Sequence, residues 1–394
     1  MTRAPSAHER RISRRLEGRG LAGLGEALCK LQGRKFGGRF EMDSLFAAGA
    51  EGAVFLARGA GEAGAPRYVA KIPLLLYHRP ITLDTEGIRR RRAALREEAG
   101  HLINSASPYM PRAYGLFDMV NPLLDPARGG AFAEPEPVLV MERLPGFDLD
   151  VWLARMHNSD IDVKLLRRTL DQAAVAVLQG LWDLQERGFY YADLRPGNVR
   201  IGGRDRRARL LDAGSMVLRS DCSGRFPHVP AYLPPDLFLR VRSGADRLFP
   251  TAAVQAVMAG RTLYEVATGH VPVPGEPVDT KLLWESRVSQ PVADTIDGLC
   301  SGSFTDVQQA VKYLSKRAAK RVPSRLVPVG AGVAAQAAPA AAPLFVLDPL
   351  PDSPPPPRSA PVRTSAPAAQ SEKRDDAILP PPKRKSLWRR IFGG

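Results

Sequence analysis

The sequence predicts an α+β fold in two lobes, and three observations predict it. Between Phe40 and Leu144 apolar residues alternate in short runs bounded by Gly and Pro, the period-two pattern of strands, with one helical stretch inside 80–104. From Leu149 to about Arg321 the apolar residues recur at helical spacing instead. Between the two, V-L-V-M-E-R-L-P-G at 138–146 is an apolar strand that breaks into a Pro-Gly turn, a natural hinge. A small antiparallel sheet plus one helix is therefore expected for 39–143, and a mainly α-helical lobe for 144–321.

Composition narrows the classes. The 394 residues are 44% hydrophobic, enough to bury a sizeable core. Cys29, Cys222 and Cys300 have no paired spacing, which argues against a disulfide framework or a zinc knuckle and fits a reducing cytoplasm. The net charge is +15, but the basic residues gather at the ends and in Arg89, Arg90, Arg91 and Arg92, not between aromatic residues, so no specific nucleic acid is expected. Arg10, Arg11, Arg14 and Arg15 precede no apolar run, so a secretory signal is not expected. Leu326 to Leu347 is uncharged but broken by Pro328, Pro339 and Pro343, a poor membrane span.

Residues 1–38 form a basic extension in which Leu16, Leu21, Leu24 and Leu28 are loosely spaced; a flexible arm and a helix packed on the neighbouring lobe both fit. Leu45 to Arg58, L-F-A-A-G-A-E-G-A-V-F-L-A-R, reads as strand, glycine turn, strand. Gly49 and Gly52 would let backbone N–H groups approach phosphates, with Val54 over a purine ring, although an ordinary Gly/Ala hairpin has the same pattern. In Y-V-A-K-I, Lys71 lies inside a β-branched strand and needs an anionic partner or ligand; it is the candidate for α- and β-phosphates. The next helix offers Glu98 as its ion-pair partner, with Glu97 the alternative one residue away, because one residue turns a side chain by about 100°. At the hinge, backbone groups of Glu142 and Leu144 would meet an adenine edge and Met141 would line the back of that pocket.

The chain is organised around Y-Y-A-D-L-R-P-G-N-V-R-I, at 190–201. Asp193 and Asn198 stand five positions apart on a loop turned by Pro196 and Gly197, a spacing that serves phosphoryl transfer. Asp193 accepts a proton from an attacking hydroxyl, while the Asn198 side chain turns back to hold a metal ion on nucleotide phosphates. After the next turn, L-L-D-A-G-S places Asp212 past a buried strand, a second metal-binding position. Beyond 321 the chain is Ala/Pro-rich, read as a linker over 322–382. Residues 383–394 then form a basic tail whose Leu387, Trp388, Ile391 and Phe392 share one helical face among Lys383, Arg384, Lys385, Arg389 and Arg390. Lys383 to Phe392 suit an anionic membrane surface or an acidic partner, which would make a cytoplasmic chain peripheral to the inner membrane face.

Taken in order, these parts resemble the protein kinase superfamily, specifically the bacterial Ser/Thr protein kinases of eukaryotic type, over roughly Arg39 to Arg321. A-A-G-A-E-G-A-V resembles the glycine-rich loop, Y-V-A-K the strand-three lysine motif, Glu98 the helix-C glutamate, Y-A-D-L-R-P-G-N the catalytic loop and D-A-G the metal-binding D-F-G. The resemblance implies a two-lobed fold, ATP with two Mg2+ in the cleft, and transfer of the γ-phosphoryl group to a Ser or Thr hydroxyl of a protein substrate. It implies that Lys71 positions phosphates, Glu98 orients Lys71, Asp193 is the base, Asn198 and Asp212 hold metals, Val54 and Val69 line the nucleotide, and Arg195 stands for the lysine that contacts the γ-phosphate. Several positions depart from the pattern: Ala47 for the first glycine, Tyr191 for a histidine, Ala192 for the arginine that reads a phosphorylated activation loop, Gln255 for a helix-F aspartate, Asp236 for a glutamate, and Arg200 for an apolar residue under the adenine. A pseudokinase or nucleotide-binding scaffold, and a phosphotransferase of small molecules, are the alternatives.

Overall fold

The computed structural model of the chain describes residues 6–321 except 19–22, 49–51, 63, 74–84, 122–126, 128, 158–162, 203–207, 221–228 and 245–250. Gly49, the linker and the basic tail thus lie outside the described residues. The fold is α+β, as the patterning predicts, and its first part is one antiparallel sheet. β1 (Lys35–Phe36), β2 (Phe40–Ala48), β3 (Gly52–Gly59), β4 (Tyr68–Pro73), β5 (Ala113–Met119) and β6 (Glu136–Glu142) lie in the order β1-β2-β3-β4-β6-β5. Helix α3 (Thr85–Ser105) joins β4 to β5.

Strand alternation sorts the two faces of this sheet. Ala70, Ile72, Val138 and Val140 point to one face and are fully buried with Phe55 and Met42. Leu139 points to the other, where Leu95 and Ala99 of α3 pack on it. The first face is covered by the N-terminal segment. α1 (Ala7–Glu17) is started by a reciprocal cap in which Glu9 N–H donates to Ser6 Oγ at 3.2 Å and Ser6 N–H to Glu9 Oε2 at 2.5 Å. It lays Ile12 and Leu16 on the sheet, and α2 (Leu24–Cys29) adds Leu24 and Leu28. Each such leucine contributes about 1.5–3 kcal/mol of burial, so of the two readings open for this segment the packed helix is the one observed. Among the described residues no helix is long and apolar enough to cross a membrane.

Past the hinge come β7 (Phe147–Asp148), α4 (Leu149–His157) and the long α5 (Val163–Glu186). On α5, Leu166, Leu170, Ala173, Val177, Leu178, Leu181 and Leu184 form the buried stripe that the helical periodicity predicts. Four short strands come next: β8 (Phe189–Tyr191), β9 (Val199–Ile201), β10 (Ala208–Leu210) and β11 (Met216–Leu218). They pair as β10-β9-β7 and β11-β8, and both pairings hold the ends of the 190–201 segment. α6 (Pro235–Arg242), α7 (Ala252–Thr268), α8 (Thr280–Trp284), α9 (Gln290–Cys300) and α10 (Val307–Arg321) complete the helical lobe. α7 is buried over most of its length and underlies the 190–201 loop.

Candidate active site

Strand β8 delivers the chain to Asp193, and a 3-10 turn at Pro196–Asn198 reverses it into β9. The turn returns Asn198 to the start of the loop, where its Nδ2 donates to the Asp193 carbonyl at 2.8 Å and to Asp193 Oδ2 at 2.9 Å. Arg195 Nε donates to the same Oδ2 at 3.1 Å. Asp193 Oδ1 is left as a buried oxygen with no hydrogen-bond partner among the described residues. Such an atom calls for a proton or a cation.

Two residues of α7 brace this loop from below. Gln255 Nε2 donates to the Tyr191 carbonyl at 3.3 Å while its Oε1 accepts from Gln185 Nε2 of α5 at 2.6 Å. Thr262 Oγ1 donates to the Leu194 carbonyl at 2.9 Å. The Tyr191 hydroxyl donates to the Leu211 carbonyl, tying the loop to the strand before Asp212. Thr262 escapes a reading of the sequence because a hydroxyl on a hydrophobic helix has no local signature of its long-range partner.

Lys71 projects from β4 and brings three elements together. Its Nζ lies 2.7 and 2.8 Å from the Glu98 carboxylate oxygens on α3 and 2.9 Å from Asp212 Oδ1. Glu98 is buried, whereas Glu97 is 71% exposed and faces His101, so the structure selects the first of the two candidates. Asp212 sits at φ 61, ψ 77, the left-handed region, which costs a non-glycine residue about 1–3 kcal/mol. That turn aims its carboxylate back at Lys71. Small residues keep the space open: a Cβ on Gly214 would lie 3.2 Å from Glu98 Oε2 and 3.3 Å from Asp212 Oδ1, and one on Gly52 would lie 3.3 Å from Lys71 Cε.

The electrostatics derive from this packing. Burial pushes the Asp193 carboxyl above its ordinary value, and Arg195 and Asn198 only partly offset that. Burial would push Asp212 up as well, but the Lys71 ammonium outweighs it and holds that carboxyl below the ordinary value. Burial disfavours the Lys71 charge, yet Glu98 and Asp212 overcome it and hold the proton more tightly than in free lysine. Two carboxylates near each other thus titrate in opposite directions, an arrangement suited to one proton acceptor and one permanently charged ligand.

The remaining candidates lie on the inner strands of the sheet and in the hinge that follows. Val54 stands opposite Lys71 on the neighbouring strand and Val69 opposite Met141. Met141 packs against both the α3 contact and the helical core, between the lobes. The Glu142 N–H is donated to the Arg112 carbonyl at 2.8 Å, so of its two backbone groups the N–H is already engaged. Leu144 is buried at the start of the hinge. Arg200 is held by Asp148 at 2.8 Å and by the Gly146 carbonyl at 2.9 Å, which locks the hinge to β9. Asp236 lies exposed in the first turn of α6, and the buried acid nearby is Glu265, which accepts from the Tyr232 hydroxyl.

Whether these residues suit a Mg2+-bound nucleotide is answered by their donor set. Among the described residues no cluster of three or more His, Cys, Asp or Glu could hold a metal by itself. Asn198 and Asp212 offer an amide oxygen and a carboxylate, the sparse hard-oxygen set of a Mg2+ ion completed by phosphates and water. With the orphan Asp193 oxygen, and with Gly52 where any Cβ would crowd Lys71 Cε at 3.3 Å, the residues present fit such a group.

No family model matches the chain. Two curated Escherichia coli proteins, each an O-antigen chain terminator bifunctional methyltransferase/kinase WbdD, are 40% identical to it over 86 residues, 22% of this chain. The match spans only 11% of their length. Two crystal structures of the Mycobacterium tuberculosis PknI kinase domain are similar over 73% of this chain and 98% of theirs, at 16% identity and TM-scores of 0.48 and 0.47.

Proposed function

We propose that the chain is an ATP-dependent kinase that transfers the γ-phosphoryl group to a Ser or Thr hydroxyl of a protein, with Asp193 as the base. The observation that carries this reading is Lys71 Nζ held at once by Glu98 of α3 and by Asp212 after β10. A buried ammonium between two carboxylates, beside an Asp-Asn pair locked across one turn, has few uses other than positioning phosphates and their cations.

Mg-ATP, when bound, supplies the phosphoryl group and its charge-neutralising cations. Lys71 places its ammonium on the α- and β-phosphates, and Glu98 keeps it there. Asn198 and Asp212 offer the oxygens that hold cations. Asp193 Oδ1 takes the proton of the acceptor hydroxyl, and burial, by raising its affinity for that proton, improves it as a base. Arg195, fixed on Asp193 Oδ2, puts a cation beside the transferred group. Val54, Val69, Met141, the Glu142 carbonyl and Leu144 surround the base of the nucleotide. Lys383 to Phe392 direct the protein to an anionic surface or an acidic partner.

A second reading is transfer to a small-molecule or other non-protein acceptor, and the stretch shared with WbdD, named an O-antigen chain terminator, favours it. Against it stand the Y-L-P-P-D segment at 232–236 and the L-Y-E-V-A-T-G stretch at 263–269, which resemble the protein-substrate platform of protein kinases. Calorimetry with Mg-ATP, using Lys71→Met and Asp212→Asn, tests the shared core of both readings. Binding weakened at least tenfold by either variant supports them; binding unchanged in both variants removes them. Acid-stable phosphate on protein Ser or Thr then separates the first reading from the second.

A further inference from the structure

The run of four arginines on α3 is not uniform. Arg89 and Arg90 are exposed, while Arg92 is only 1% exposed and no part of the candidate active site. Its guanidinium is enclosed by the connection between β5 and β6. Nε donates to Glu136 Oε1 at 2.5 Å, Nη1 to the Ala131 carbonyl at 2.7 Å and to Glu134 Oε2 at 3.3 Å, and Nη2 to the Glu134 carbonyl at 3.1 Å. Glu136 opens β6, is 0% exposed, and takes Asn121 Nδ2 at 3.3 Å on its other oxygen.

Burying a guanidinium and a carboxylate costs several kcal/mol per ion, recovered only when the donors meet their acceptors in the right geometry. A planar fork satisfied by four acceptors on three residues of the 131–136 stretch fits one rotation of α3 and no other. The apolar part of the interface has no such direction. Leu95 and Ala99 pack on Leu139, and apolar contact tolerates sliding. Glu98 lies six residues beyond Arg92, roughly 9 Å along the same helix. A slip of α3 by one residue turns both side chains by about 100° and takes Glu98 off Lys71.

We propose that Arg92 and Glu136 are a latch through which the β5–β6 connection sets the rotation of α3, and so decides whether Glu98 reaches Lys71. Arg92 is a positioning residue in this account. Its consequence for phosphoryl transfer rests on the kinase reading; its consequence for the Lys71–Glu98 pair does not.

Two readouts separate these consequences. In the full chain, the neutral pair Arg92→Met with Glu136→Met keeps the volume apolar and spares the fold an unpaired buried charge. Arg92→Lys keeps the charge but loses the fork, and serves if the double variant does not fold. Lys71 acetylation by acetic anhydride is read by mass spectrometry, beside the melting temperature and, with Mg-ATP, kcat and KM. The latch predicts Lys71 acetylated at least tenfold faster in the folded variants, with kcat falling more than KM changes. Folded variants in which Lys71 is acetylated at the parent rate overturn it, because Arg92 would then be structural only. A parent chain without transfer activity, but with the same gain in Lys71 acetylation, would refute the kinase reading and leave the latch standing.

Discussion

Lys71 Nζ and Asp212 Oδ1 are 2.9 Å apart although 141 residues separate them, and the contact joins the sheet to the helical lobe across the candidate site. Asp212 reaches it from a left-handed backbone conformation, and Gly214 leaves the room to do so. Filling that room is the first prediction. Gly214→Val pushes on the carboxylates of Glu98 and Asp212 together, and a displacement near 1 Å at a reacting centre costs on the order of 100-fold in rate. Steady-state transfer assays check this; a rate within twofold of the parent would show that the two carboxylates need not be fixed.

The acid limb of activity belongs to Asp193. Its carboxyl titrates above the ordinary value because it is buried, and transfer requires it unprotonated, so kcat/KM falls as pH drops through that raised value. Arg195 opposes the shift, so Arg195→Met raises the Asp193 value further and moves the acid limb to higher pH. A pH profile of the two proteins decides it, and an unmoved limb would take Asp193 out of the role of base.

The loop braces contribute through hydrogen bonds that have no substitute in the interior. Gln255→Ala abandons the Tyr191 carbonyl and Gln185, a loss of about 1–3 kcal/mol, and Thr262→Val abandons the Leu194 carbonyl, about 1 kcal/mol. Urea denaturation measures both. Activity is expected to fall with Gln255→Ala more than nucleotide binding does, since the loop carries Asp193.

The N-terminal helix is part of the sheet's core and behaves as such. Leu16→Ala is expected to destabilise the protein by about 2–5 kcal/mol, the cost of a cavity under a fully buried leucine. A loss below 1 kcal/mol would mean that α1 is dispensable to the fold.

How much of this is legible in the sequence depends on the range of each interaction. The hinge, the α5 stripe and the Asp193–Asn198 turn are written in local patterns of spacing and turn residues. Sequence prefers Glu98 as the lysine's partner but leaves Glu97 one residue away as the alternative, because rotation about α3 is set by Arg92 and Leu95 against residues more than 20 positions away. Arg92 itself is hidden in a run of four arginines whose pattern is that of a solvated face. The packing of α1 depends on an apolar sheet face that exists only once β2, β3, β4 and β6 have assembled. Arg200 has no partner visible in the sequence, since Asp148 and the Gly146 carbonyl come to it across the β7–β9 pairing.

The central claim is that this geometry transfers phosphate. Labelled γ-phosphate from Mg-ATP, traced into the protein itself and into a generic basic protein, tests it directly when Asp193→Ala is run alongside. The account predicts acid-stable incorporation on Ser or Thr that falls roughly 10²–10⁴-fold in the variant, the contribution of a general base. Incorporation that is equal in both proteins, or absent from the parent while Mg-ATP binds, would contradict it.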